Sequence, residues 1–190
     1  MKNKKLTTYQ LSVTALMAAV MCVLGPVSVP IGPVPLSLTN LVIFFAVYLL
    51  GARLGTLSVL VYLVLGAVGL PVFSGYAGGL AKLAGPTGGY LVGFVPMAFV
   101  IGLFVEKADK LEAKALRPVL EIAGFLLGEA VLYVIGTAWF VVLMDCTVSY
   151  ALGICVVPFL PGDAAKIVLA VVFGALLRRR LIQARVLKNA

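Results

Sequence analysis

The stretch Gly75-Tyr76-Ala77-Gly78-Gly79-Leu80-Ala81-Lys82-Leu83-Ala84-Gly85-Pro86-Thr87-Gly88-Gly89, followed by Tyr90, carries six glycines and one proline in fifteen residues. At that density glycine and proline argue against both a stable helix and an ordinary strand. The sequence on either side is apolar for many residues, within a chain of 190 residues that is 63% hydrophobic. Beside membrane segments, irregular backbone is tolerated only where it is buried in protein or lines a cavity. A loop of small side chains with many free N–H and C=O groups in that position is expected to cover a ligand.

Only 12% of the residues are charged and the mean hydropathy is +1.16; a soluble domain carries about 25% charged residues. The chain therefore reads as one integral membrane domain, residues 1–190, built of α-helices. A crossing takes about 20 apolar residues at 1.5 Å rise each, so there is room for about five to seven crossings and little soluble mass. The net charge of +8 falls in short clusters between apolar runs. That pattern sets topology and meets anionic lipid headgroups, and it leaves no soluble basic domain to bind nucleic acid. Histidine is absent, which removes the commonest general base and metal ligand. Cys22, Cys146 and Cys155 form no metal-ligand spacing, so no metal is expected; Cys146 and Cys155 either pair on the outside or stay as buried free thiols.

Six spans are predicted, over about residues 7–25, 36–50, 54–69, 89–105, 118–143 and 161–178. The first is preceded by Lys2, Lys4 and Lys5 and reads as a retained helix with no small-x-small cleavage site. Four prolines between Pro26 and Pro35 demand an extended loop or short hairpin, and Gly51 to Gly55 a tight turn. Pro96 interrupts the fourth span and should kink it. The apolar segment from Val148 to Leu160 has only thirteen residues and is open to reading as a surface loop, a re-entrant piece or a crossing. Charge decides between these. With six spans and both termini cytoplasmic, 13 of the 15 Lys and Arg residues lie inside; a seventh would put Arg178 to Arg180 outside.

This topology brings the proline loop, the glycine loop with Lys82, and the mouth of the last helix to the outer face. Asp163 and Lys166, three residues apart, share one helical face about one turn in. They read either as a local ion pair with Asp163 capping the helix, or as an acceptor and a donor offered to a polar ligand, since intramembrane charge usually marks a pathway or a site. Both can hold together. Glu129 forms a stripe with Tyr133, Gly136 and Trp139 at spacings of 4, 3 and 3, which suits a packed core or a cavity wall. Thr39-Asn40 can join helices or line a cavity. Ala15 and Ala19 form a small-x-x-x-small face suited to close helix approach, within the bundle or with a partner. No P-loop, His-Glu-x-x-His, Gly-x-Ser-x-Gly or carboxylate pair occurs, so the chain itself is not expected to hydrolyse ATP or act as an enzyme.

Three groups of residues carry a family resemblance: Gly69-Leu70-Pro71-Val72-Phe73 with Gly78-Gly79, then Gly85-Pro86-Thr87-Gly88-Gly89-Tyr90, then Pro161-Gly162-Asp163-Ala164-Ala165-Lys166. The chain resembles the BioY family over nearly its whole length. These are the biotin-specific substrate-binding (S) components of energy-coupling factor (ECF) vitamin transporters. The resemblance implies a six-helix S-component fold in a bacterial or archaeal cytoplasmic membrane, with an outward pocket under the glycine loop and biotin as transported ligand, no cofactor being needed. It also implies a transmembrane scaffold subunit and two ATPases as partners, although some members are reported to act without them. Asp163 and Lys166 are implied in the biotin site, Ala15 and Ala19 on the scaffold-facing helix. Where some relatives have an asparagine in the loop and an arginine after the tyrosine, this chain has Ala77 and Leu91.

The chemistry fits the ligand. A ureido ring with two N–H groups and one carbonyl matches an aspartate beside a lysine, and a thiophane ring with a valeryl chain suits Tyr90 and Trp139. The carboxylate is expected on backbone N–H groups from Gly85 to Tyr90, Gly88 and Gly89 included, with Lys82 adding charge. Asn40 and Glu129 complete the predicted site. The competing readings are an S component for another small vitamin, a stand-alone biotin transporter, an intramembrane enzyme using Glu129 and Asp163, and a purely structural subunit. The topology is checked by a tag at the carboxyl terminus, which should react only after cells are permeabilised; labelling of intact cells overturns it.

Overall fold

The computed structural model describes residues 6–30, 34–113 and 115–183. Lys2, Lys4, Lys5, Lys114, Arg185, Lys188 and positions 31–33 of the proline loop lie outside the described residues. The described chain is mostly helical. α1 (Thr8–Leu24) opens with a reciprocal cap in which the Thr7 hydroxyl accepts from Gln10 N–H and the Gln10 side chain accepts from Thr7 N–H. The proline loop then forms a two-residue hairpin, β1 (Ser28–Val29) antiparallel to β2 (Leu36–Ser37). The second helix accordingly starts at Thr39, later than the expected 36.

α2 (Thr39–Ala67) contains a break at Gly51, where φ is +77°. Residues eight apart in a straight helix are separated by about 12 Å. Here a Cβ placed on Gly55 would lie 2.8 Å from the Val47 backbone, so the chain folds back and the two arms lie side by side. Only glycine adopts that backbone without strain. The first free N–H of the returning arm, on Ala52, donates to the Glu106 carboxylate at 2.8 Å, so a side chain 54 residues away caps it. The turn expected at Gly51 to Gly55 is present, and its stabilising partner comes from another helix.

The glycine-rich stretch departs from its expectation in one place. Leu80 to Ala84, five residues free of glycine, wind into a single helical turn, α3 (Leu80–Ala84). α4 (Gly88–Asp109) follows and continues through Pro96. α5 (Arg117–Met144) starts with proline in its first turn. α6 (Val148–Cys155) has eight residues, about 12 Å, far short of a bilayer. α7 (Leu160–Gln183) completes the described chain. Four helices, α2, α4, α5 and α7, are long and apolar enough to cross a membrane, and α1 is apolar but shorter.

α2, α4 and α5 form the centre. Phe44 meets Phe125 edge-on at 5.0 Å between centroids, and Tyr48 stacks on Phe125. Small residues let the backbones approach: a Cβ on Gly102 would lie 2.3 Å from Ala52 Cα, and one on Gly128 2.4 Å from Ile101. At one end of the bundle Asp109 pairs with Arg117 at 2.8 Å and with Arg178, tying α4, α5 and α7 together. Beside them the Tyr48 hydroxyl donates to Glu121 at 2.9 Å. Gly51→Ala should lower thermal stability in detergent by about 1–2 kcal/mol or more, because it adds left-handed strain and a Cβ 2.4 Å from Glu106 Oε1. An unchanged melting temperature would contradict the fold-back geometry.

Candidate functional site

At the end of the bundle away from the Asp109 cluster, the first turn of α7 places Asp163 and Lys166 side by side. Both are buried, 5% and 8% exposed, and Lys166 Nζ donates to Asp163 Oδ1 at 2.9 Å. The Tyr133 hydroxyl from α5 donates to the other oxygen, Oδ2. Among the described residues Asp163 accepts from no backbone N–H, so it is an ion-pair partner and does not cap α7. Charge-assisted bonds of this kind are the strong ones, and they make burial of the charges tolerable.

The pair lines a cavity with about 590 Å³ of empty space, part of it open to solvent. α2 supplies Thr39, Asn40 and Tyr62; α4 supplies Tyr90, Leu91 and Phe94; α5 supplies Leu132 and Tyr133. Val34 to Ser37 from the hairpin segment, Ser74 just before the glycine stretch, Thr87 within it, Cys155 and Phe159 also line it. One wall is thus polar, around Asp163, Lys166, Tyr133 and Asn40, and another is apolar. The Tyr90 hydroxyl is shared with Thr137 at 3.2 Å and reaches the Cys155 carbonyl at 3.4 Å, fixing the ring across the cavity.

The proline loop and the segment around the glycine stretch are held to each other and to α2. Gly75 N–H donates to Pro26 O at 3.1 Å, Thr39 Oγ1 to Gly25 O at 3.5 Å, and the Tyr62 hydroxyl to Val72 O at 3.1 Å. Gly79 N–H closes the base of the glycine loop on Gly66 O at 2.7 Å.

Of the predicted site residues, Asp163, Lys166, Tyr90 and Asn40 line this cavity and five do not. Trp139 is 40% exposed and its indole N–H donates to Gly85 O at 3.0 Å, so it fastens the loop from outside and forms no cavity wall. Gly88 and Gly89 are packing positions: a Cβ there would lie 1.8 Å from Leu83 O and 2.2 Å from Trp139 Cβ. The N–H groups of Gly88 and Tyr90 are already used, on Gly85 O and Thr87 O. Lys82 sits in α3, half-buried and away from the lining. Glu129 is buried behind Asn40, whose Nδ2 donates to its Oε1 at 3.3 Å. Ala15 and Ala19 are exposed on α1, whereas Thr14, Ala18 and Met21 face the protein. Cys22, Cys146 and Cys155 are all free thiols. Tyr62, Thr87, Phe94 and Phe159 were not legible as cavity residues; Tyr133 was, as the neighbour of Glu129 one turn on.

The model of the BioY family matches residues 1–183. This chain belongs to the BioY family. Among BioY relatives, a probable biotin transporter of Pyrococcus horikoshii is 38% identical over 165 residues, covering 87% of this chain and 93% of that one. A biotin transporter of Thermotoga maritima is 37% identical over 171 residues, covering 90% and 96%. The crystal structure of an S component for biotin from an ECF-type ABC transporter superposes with a TM-score of 0.80 at 33% identity, over 94% of each chain.

Trp139→Phe keeps the ring and deletes the donor to Gly85. Loss of a bond worth about 1 kcal/mol should raise amide hydrogen exchange in 80–88 about fivefold. Exchange equal to the wild type would mean that the bond does not hold the loop.

Proposed function

We propose that this chain is a membrane-embedded S component that binds biotin and delivers it through an ECF-type transporter. The observation that carries the reading is the buried Asp163–Lys166 pair on a cavity wall. A lysine within the membrane costs on the order of 2.5–3.5 kcal/mol near the centre, and the pair is set where a ureido group can use it. Asp163, steadied by Tyr133, accepts a ureido N–H, and Lys166 donates a further N–H to the ureido carbonyl. Tyr90, Phe94 and Phe159 enclose the thiophane ring and valeryl chain. The ligand carboxylate belongs at the amino-terminal end of α4, where Thr87 has no side-chain capping bond and the helix dipole favours an anion.

The two arms of α2 count as separate crossings, which with α1, α4, α5 and α7 makes six, both termini in the cytoplasm and the cavity facing out. Support comes from the basic residues, which then lie almost entirely inside. The membrane is the cytoplasmic membrane of a bacterium or archaeon, a reading supported by relatives from Pyrococcus horikoshii and Thermotoga maritima. The exposed Ala15 and Ala19 present a small-residue face for a transmembrane scaffold. Two ATPase partners supply the hydrolysis for which this chain has no P-loop.

Asp163→Asn keeps the shape of the side chain and removes its charge. In equilibrium binding of labelled biotin to detergent-purified protein it should weaken affinity by about tenfold to a hundredfold. Unchanged affinity removes Asp163 from the site, and a wild-type protein that leaves biotin unbound points to another vitamin.

A further inference from the structure

Asn40 lines the cavity, whereas Glu129, its hydrogen-bond partner, is not among the lining residues. The partnership has a direction. Asn40 Nδ2 donates to Glu129 Oε1 at 3.3 Å, so the amide oxygen is turned away from Glu129, and among the described residues it accepts no hydrogen bond. Glu129 itself is 4% exposed, and its second oxygen, Oε2, has no hydrogen-bond partner among the described residues. A buried carboxyl group with half its capacity unused is a poor packing residue, since an apolar side chain of similar volume would fill the space without that penalty. What a carboxylate does that an apolar residue cannot is hold the NH₂ end of a neighbouring amide.

This bears on the biotin reading, on which the inference rests. The two N–H groups of a cyclic urea diverge on either side of its carbonyl, so one carboxylate cannot serve both. Asp163 on α7 already accepts from Lys166 and Tyr133 and has room for one ureido N–H. A second acceptor must come from another element, and the unpartnered Asn40 oxygen, on a lining residue in the first turn of α2, is available for it. We infer that Asn40 is a specificity-determining residue that accepts the second ureido N–H, and that Glu129 is a positioning residue that keeps the amide oxygen toward the ligand. A site with acceptors on two walls rejects a ligand that lacks either donor, because a desolvated acceptor is then left unpaired.

The test uses biotin and its two cyclic carbamate analogues, each with one ureido N–H replaced by oxygen, in competition with labelled biotin on the purified full chain. Asn40→Ala should weaken biotin about tenfold to a hundredfold and leave one carbamate, the one lacking the donor that faces Asn40, bound as well as by the wild type. Glu129→Gln can hold the amide in either direction. It should weaken biotin about threefold to tenfold and reduce the wild-type preference for biotin over that same carbamate, with the melting temperature of the free protein unchanged. Equal losses for all three ligands in Asn40→Ala, or no loss for biotin, overturn the role of Asn40. A preference unaltered in Glu129→Gln overturns positioning by Glu129. A wild type that binds none of the three ligands refutes the biotin reading itself, a different outcome.

Discussion

A carboxylate and an ammonium group held in contact where water is scarce constrain everything around them. Asp163 and Lys166 satisfy each other only in part, and Tyr133 has to come from α5 to fill the remaining side of the carboxylate. That fixes α7 against α5 at one end of the bundle. At the other end Arg178 reaches Asp109, which is shared with Arg117. α7 is thus fastened by charge at both ends and by apolar contact between, with Ile167 and Ala170 buried on its inner side. Breaking a buried pair by removing one partner costs far more than replacing both, so neither charge can drift without the other.

The cavity exists because two irregular segments are placed over that pair and given their hydrogen bonds elsewhere. The proline hairpin uses its own short ladder, and the glycine stretch uses α2, the hairpin and Trp139. Among the described residues these bonds are all made within the protein. The polar wall is therefore left with spare capacity for a guest, on Asp163 and on the Asn40 oxygen, and the fold is complete without one.

Much of this was legible in the sequence. Membrane character, the helix positions, the fold-back at Gly51, the hairpin at the prolines and the Asp163–Lys166 pair all come from local signals: composition, turn residues and a spacing of three. What stayed hidden lies between distant residues. Glu106 capping Ala52, Trp139 bonding Gly85, and Asn40 meeting Glu129 are separated by 54, 54 and 89 positions. The physical reason is the uniformity of the spans. A helix apolar on every side carries no stripe to say which face is inward, so lipid-facing and cavity-facing residues look alike. Trp139 was read as a wall for that reason, and Tyr62 was not read at all. Gly88 and Gly89 were read as backbone donors to a carboxylate, a reading that gives no hint that Leu83 packs on the first and Trp139 on the second.

The bond from Gly75 N–H to Pro26 O joins the two covers of the cavity. Separating either one from the other severs it, while Thr39 and Tyr62 hold the adjoining residues Gly25 and Val72 to the two arms of the folded helix. The two segments are therefore tied directly to each other as well as to the helix. A displacement of the proline loop is thus passed to the glycine segment through backbone alone, without involving the polar wall.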